Sequence, residues 1–88
     1  MIVQEFTIKN RLGLHARASA RLVQTANRFR SEVYITKEGE KVNGKSIMGI
    51  LMLAAAIGSK IEVRVSGDDA EEAFAAISQL IEDKFGED

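Results

Sequence analysis

The sequence predicts an α+β domain, an open-faced β-sandwich in which a four-stranded antiparallel sheet carries three helices on one face. The segments with strand-like alternation each have one apolar and one polar side. This pattern is typical of an antiparallel sheet that is covered by helices on one face only. Segments of helical spacing separate them, in the order β-α-β-β-α-β-α. The 88 residues fit one domain, so residues 1–88 are interpreted as a single domain.

The first half of the chain predicts a strand, a helix and a hairpin. Ile2 to Lys9 alternates between apolar and polar residues, which indicates a half-buried strand. Ala16 to Phe29 has helical spacing, and its apolar residues are Ala18, Leu22, Val23, Ala26 and Phe29. Residues 32–36 alternate again. Glu38-Gly39-Glu40 is typical of a tight turn into a short strand over Lys41 to Asn43.

The second half predicts a helix, a strand and a last helix. Ser46 stands where an N-cap would open an apolar helix, and Gly58 is its expected C-terminal stop. Lys60 to Ser66 alternates strictly and is the clearest strand. Asp68 to Glu71 resembles a capping box. The helix that follows has an apolar stripe consisting of Ala70, Ala73, Phe74, Ile77 and Ile81.

Composition excludes several classes of site. The chain has no cysteine, which excludes disulfides and thiol chemistry, and its single histidine excludes a histidine-rich metal site. We therefore expect no metal and no cofactor. The longest apolar run, residues 47–57, is too short to cross about 30 Å of hydrocarbon. We expect no secretory signal, because no basic segment followed by an apolar one opens the sequence. These features predict a cytoplasmic protein without membrane insertion.

The charges are distributed unevenly, although the net charge is only −1. Residues 1–30 contain six basic residues and one acid, whereas residues 67–88 contain eight acids and one base. A basic N-terminal third favours an anionic ligand or an acidic partner surface. A solvated helix face would produce the same arginine pattern. The acidic segment from Glu82 to Asp88 is interpreted as a fraying helix end without a functional role.

The motif GLHARAS, residues 13–19, predicts an anion site. Gly13 permits a sharp turn out of the first strand, which puts His15 at or next to the N-cap of the following helix. The backbone N–H groups of Ala16 and Arg17 then belong to the first helical turn, where they have no helical acceptor. Such donors converge on an anion, and the helix dipole adds to the attraction.

The histidine gives this site a nucleophile. The ordinary pKa of a histidine side chain is about 6.5. Above that pH the ring is mostly neutral, and one ring nitrogen has a free lone pair. If His15 attacks a phosphoryl group, Arg17 and the free N–H groups can bind the new oxygens. A phosphorus–nitrogen bond is weak enough to pass the group on, which favours a carrier. A hydrolase is disfavoured because no histidine–carboxylate pair is evident. A simple helix cap is the other interpretation of His15.

The chain resembles the HPr family, the histidine-containing phosphocarriers of the bacterial phosphoenolpyruvate:sugar phosphotransferase system. The resemblance rests on GLHARAS and on VNGKSIMGIL, residues 42–51, and extends over essentially the whole chain. It implies that His15 takes a phosphoryl group on Nδ1 from enzyme I and passes it to IIA domains, with Arg17 as the active-site arginine. The chain departs from the family's pattern at Ala18, where proline is common in the family. A monomer is expected, because a carrier presents one face to successive partners.

The second motif implies regulation. In many members of the family the serine equivalent to Ser46 is phosphorylated by an HPr kinase/phosphorylase, and the resemblance extends this role to Ser46. The helix after it is apolar nearly all round, so we expect Ile50 and Leu53 to face the sheet. The remaining apolar residues are expected to form a docking patch, unless they pack in the core: Ile47, Met48, Leu51 and Met52.

Three alternatives stay open at this stage. A nitrogen-regulatory paralogue of the same family would keep phosphotransfer but use it for signalling. A relative that acts only through serine phosphorylation is disfavoured because His15 and Arg17 are present. An RNA-binding module is disfavoured, because such modules stack bases on aromatic residues of the exposed sheet face. Phe6 is expected on the core face of the sheet, which leaves Tyr34 as the one aromatic expected on the exposed face. No nucleic-acid partner is therefore expected.

Overall fold

The protein is described by a computed structural model over residues 1–87, and this part of the chain contains one sheet and three α-helices. The strands are β1 (Ile2–Thr7), β2 (Glu32–Lys37), β3 (Glu40–Asn43) and β4 (Lys60–Ser66). The helices are α1 (Ala16–Ala26), α2 (Ile47–Met52) and α3 (Ala70–Glu82), and a 3-10 turn follows at Lys84–Gly86. This element order confirms the predicted fold class.

The strands are arranged in the order β1-β4-β2-β3, and every neighbouring pair is antiparallel. Val65 of β4 is paired with Ile2 on one side and with Val33 on the other, so apolar residues share one face across the register. The turn between β2 and β3 consists of Glu38 and Gly39, both with positive φ. Two such residues match the twist of a hairpin, which explains the tight connection.

The core lies between the apolar face of the sheet and the helices. Its fully buried members come from every layer of the fold, and the largest are Phe85, Ile8, Leu22, Ile35, Ile50, Ile61, Ile77 and Ile81. The predicted stripes of α1 and α3 are buried, apart from Phe29 and Phe74, which are half-buried against the core. Phe6 is buried, as expected, and Tyr34 is half-buried on the other face beneath Lys41.

Helix α2 is shorter than predicted. It ends at Met52, so the expected stop at Gly58 is wrong. Ala54 has a positive φ of 49°, which breaks the helical hydrogen-bond pattern. The next carbonyl, that of Ala55, accepts the N–H of Leu14 at 2.8 Å. The segment after α2 is therefore used to support the loop before α1, and a tertiary contact outweighs the local helical preference.

The ends of α1 and α3 also differ from the prediction. Helix α1 stops at Ala26, and residues 27–31 turn directly into β2. Asp69 is the N-cap residue of α3, but its side chain makes no cap hydrogen bond, so the predicted capping box is wrong. Its carboxylate instead accepts the backbone N–H groups of Arg30 and Ser31 and the Ser31 hydroxyl. Asp69 therefore ties the start of α3 to the chain entering β2.

Within residues 1–87, no helix has both the length and the apolar character needed to cross a membrane.

Candidate active site at the start of helix α1

The loop before α1 is held against the segment that follows α2. Gly13 has φ of 67°, and a Cβ atom built there would lie 2.4 Å from the carbonyl oxygen of Ala55. A side chain at this position would therefore collide with backbone that the loop needs as a support. The adjacent hydrogen bond from the Leu14 N–H to the Ala55 carbonyl fixes the same contact. Glycine is required here for both conformation and space.

Two polar side chains close the loop from within. Asn10 is fully buried, and its Nδ2 donates to the carbonyl of Gly13 at 2.7 Å. Ser19, also fully buried, donates its hydroxyl to the carbonyl of Leu14 at 3.0 Å. Buried backbone carbonyls need such partners, because an unsatisfied one costs about 1–3 kcal/mol. The loop thus presents His15 from a rigid support.

His15 is the N-cap residue of α1, as the sequence predicts. Its backbone is extended, with φ of −77° and ψ of −176°, and its carbonyl accepts the N–H of Ser19 at 2.8 Å. The imidazole makes no cap hydrogen bond. The N–H groups of Ala16 and Arg17, in the first turn, have no acceptor within the helix. There is no acidic residue in this turn, so it can bind an anion.

The imidazole pairs with a carboxylate from the other end of the chain. Nε2 of His15 lies 2.6 Å from Oε2 of Glu87, and the two side chains are 28% and 11% exposed. The interpretation of the C-terminal segment as a fraying helix end is therefore wrong up to Glu87, whereas Asp88 lies outside the described residues. The expectation that the histidine has no carboxylate partner is also wrong. Neither could be read from local sequence, because 72 positions separate the two residues.

The C-terminal segment is fixed by the core. Phe85 is fully buried with a positive φ of 56°, and the Arg21 guanidinium donates to its carbonyl. The N–H of Glu87 donates to the carbonyl of Lys84 at 2.9 Å. A buried aromatic and a guanidinium contact thus hold this segment in place, and they direct Glu87 towards His15.

The surroundings keep the Glu87 carboxylate ionised. Burial acts to raise the pKa of Glu87, but hydrogen bonds from Asn10 and His15 and the charges of His15 and Arg17 act in the opposite direction. Together they outweigh burial, so the pKa lies below its ordinary value. The bond from Asn10 Nδ2 to Oε1 is 3.0 Å long. Glu87 is therefore a hydrogen-bond acceptor at neutral pH.

An open cleft of about 270 Å³ lies beside this pair. Arg17 lines it, as does Arg11, which sequence reasoning did not place in the site; its neighbour Leu12 is 65% exposed. Arg17 belongs to the first turn of α1, Arg11 to the loop before it, and Gly86 and Glu87 complete the lining. The two guanidinium groups favour a phosphate-sized anion. Among residues 1–87, no group of three or more histidine, aspartate or glutamate side chains could hold a metal ion.

The second motif lies at the start of α2, where Ser46 is the N-cap residue. Its hydroxyl oxygen accepts the N–H of Gly49 at 3.1 Å. Ile50 and Leu53 are buried, as predicted, while Ile47, Met48 and Met52 are 44%, 69% and 67% exposed. Leu51 is half-buried. The residues expected to form the docking patch are thus accessible except for part of Leu51.

Comparison with known protein families gives a match over most of the chain. A family model for PTS-HPr, described as the PTS HPr component phosphorylation site, matches residues 2–83. Phosphocarrier protein HPr from Neisseria meningitidis serogroup A is 54% identical over 87 residues, which cover 99% of this chain and 98% of that protein. Phosphocarrier protein HPr from Xylella fastidiosa strain Temecula1 is 49% identical, with 100% and 99% covered.

A solved structure has the same fold over its full length. The crystal structure of HPr-C-His from Thermoanaerobacter tengcongensis superimposes with a TM-score of 0.96 at 48% sequence identity. The match covers 100% of this chain and 99% of that one.

Proposed function

The chain belongs to the HPr family of phosphotransferase-system phosphocarriers, and on this premise we propose that it carries its phosphoryl group on Nδ1 of His15. The observation that carries the proposal is the position of the ring. His15 lies at the start of α1, with Nε2 engaged by Glu87, beside a cleft lined by Arg11 and Arg17. The family consists of carriers, not catalysts, so the reaction is a transfer to and from this chain.

The surrounding groups support the bound phosphoryl group. Its oxygens would accept hydrogen bonds from the N–H groups of Ala16 and Arg17, which have no helical acceptor. The Arg17 guanidinium supplies a charge-assisted hydrogen bond, about twice as strong as a neutral one. Arg11, on the same cleft, adds a second positive charge.

We propose enzyme I as the donor, IIA domains of sugar transport as acceptors, and a monomeric cytoplasmic protein that meets them in turn. Met48, with Ile47, Met52 and part of Leu51, offers an exposed apolar surface for these partners. Met48→Asp should weaken binding to enzyme I while the melting temperature stays near that of the wild type, because its side chain is 69% exposed. Ala75→Asp, which adds the same charge at an exposed position of α3, is the matched control.

The central test is incubation with phosphoenolpyruvate and enzyme I, followed by intact-mass measurement before and after mild acid. We expect one added phosphoryl group that acid removes and that never appears on His15→Ala. Ser46→Ala should accept the group normally. A failure of the wild type to gain mass would reject the carrier function. Parallel reactions with enzyme I of the sugar and nitrogen systems decide between transport and nitrogen regulation.

We also propose that Ser46 is a regulatory phosphorylation site. Its hydroxyl oxygen already caps α2, and a phosphate at a helix N-terminus is favourable for the helix. The added charge would lie beside the exposed Met48 and would repel an acidic partner. Incubation with ATP and an HPr kinase/phosphorylase should add one acid-stable phosphate to the wild type and none to Ser46→Ala. A stable phosphate on Ser46→Ala would reject the assignment.

A further inference from the structure

We propose that Glu87 is a positioning residue that selects the His15 tautomer with the proton on Nε2, so that Nδ1 presents its lone pair to the phosphoryl group. The inference rests on the proposed phosphorylation of His15 and assigns a role in that transfer to the C-terminal segment.

The geometry of the pair leads to this assignment. An ionised carboxylate has no hydrogen to donate, so at 2.6 Å from Oε2 the Nε2 atom must carry the proton. In a neutral imidazole the other nitrogen is then unprotonated. The alternative tautomer would direct a lone pair at a carboxylate oxygen, and that contact is repulsive.

Asn10 orients the Glu87 carboxylate, which in turn orients the His15 ring. Its amide nitrogen bonds both the carbonyl of Gly13 and Oε1 of Glu87. Both partners are acceptors, which determines the orientation of the amide. The amide oxygen is left buried without a partner, so the nitrogen contacts decide how this fully buried side chain lies. Glu87 thus uses one oxygen for Asn10 and the other for His15.

The carboxylate is placed independently of the imidazole. Phe85 is anchored in the core, and the Arg21 guanidinium binds its carbonyl. The backbone of Glu87 is bonded to Lys84. These contacts do not involve His15. The position of Glu87 therefore does not depend on the tautomer of the ring, and the tautomer that can donate to the carboxylate is favoured.

The transfer step balances without a separate base. The Nδ1 lone pair forms the new nitrogen–phosphorus bond, and the leaving group of the phosphorylated donor, enzyme I in the proposed function, departs with the electron pair of the old bond. The proton stays on Nε2, so the ring becomes cationic, and the Glu87 carboxylate compensates that charge. On transfer to the acceptor, the ring takes back the bonding pair and becomes neutral again. In the Ser-His-Asp triad of serine proteases, a carboxylate likewise orients a histidine and stabilises its cation.

The test compares Glu87→Ala with Glu82→Ala, which removes one charge from the same end of the chain; Glu82 pairs with Lys9 and not with His15. The first measurement is the proton resonance of His15 Nε2–H in the unphosphorylated protein. We expect this resonance to be protected from exchange with water in the wild type and in Glu82→Ala, and to be lost in Glu87→Ala. The second measurement is the initial rate of phosphoryl transfer from enzyme I, which should fall about tenfold in Glu87→Ala alone.

Unchanged protection in Glu87→Ala would overturn the selection of the tautomer. Lost protection with a rate within twofold of the wild type would overturn the role in transfer and leave a structural contact. A wild type that accepts no phosphoryl group would reject the proposed function and, with it, the role in transfer. The Nε2–H resonance needs no phosphoryl donor, so it would still decide whether Glu87 selects the tautomer.

Discussion

Replacing Gly13 with alanine should destabilise the protein more than the same change at another glycine of positive φ. Gly13 has φ of 67°, and the new Cβ would lie 2.4 Å from the Ala55 carbonyl oxygen and 2.9 Å from Cα of Ala56. Gly39 has φ of 84°, with no atom within 4 Å of a new Cβ. The two substitutions therefore share a backbone strain, and only Gly13→Ala adds a steric conflict.

The magnitude follows from these two contributions. Placing alanine in a left-handed conformation costs about 1 kcal/mol, which is the whole effect expected for Gly39→Ala. Forcing an atom into filled space costs about 1–3 kcal/mol more, and at Gly13 the opposing atoms are backbone and cannot rotate away. We expect Gly13→Ala to lower the free energy of unfolding by about 3 kcal/mol. In a domain of this size that is a drop in melting temperature of roughly 15 °C, against about 5 °C for Gly39→Ala.

Urea denaturation followed by circular dichroism measures both free energies of unfolding. Because the loop carries His15, the rate of phosphoryl transfer from enzyme I should also fall for Gly13→Ala and stay unchanged for Gly39→Ala. Equal losses of stability would refute the reasoning, since they would mean that the contact between the loop and residues 55–56 contributes nothing.

Three further predictions concern the N-terminal ends of the three helices. Ser46→Ala should lower the free energy of unfolding by about 1 kcal/mol in urea denaturation, because the Gly49 N–H loses its hydrogen-bond acceptor. Ser46→Asp should keep most of the wild-type stability, because aspartate is also a good N-cap residue. Hydrogen bonds from the Ser31 hydroxyl and nearby backbone N–H groups hold the pKa of Asp69 below its ordinary value. The stabilisation that this provides is present at neutral pH and is lost as the pH falls through that lowered pKa. Thermal melts should therefore separate Asp69→Asn from the wild type most at neutral pH and least in acid. Ala18→Pro should leave phosphorylation intact in the mass assay, because the N–H of Ala18 is among the first-turn donors without a helical acceptor; a complete loss would place the start of α1 elsewhere.

Local patterns predicted the elements and most of the core. Strict alternation in Lys60 to Ser66 predicted β4 with its observed bounds, because the side chains of a strand alternate between faces whatever its neighbours are. His15 was predicted at the start of α1 from a glycine followed by helical spacing, both of which are properties of adjacent residues. Ser46 was predicted in the same way as the cap of an apolar helix, and it is the N-cap residue of α2.

Contacts between distant segments decided what these patterns could not. The end of α2 depends on Ala54 and on a hydrogen bond from Leu14 to Ala55, and the carboxylate of Asp69 serves Ser31 instead of capping α3. Glu87 meets His15 only because Phe85 is buried in the core.

The sequence by itself thus determined the class of fold, the order of its elements and the position of His15 at the start of α1, because each follows from spacing along the chain. The tertiary structure alone decided the order of the strands, the length of α2 and the partner of the imidazole. These depend on which surfaces become buried together, and burial brings residues into contact regardless of their separation in sequence.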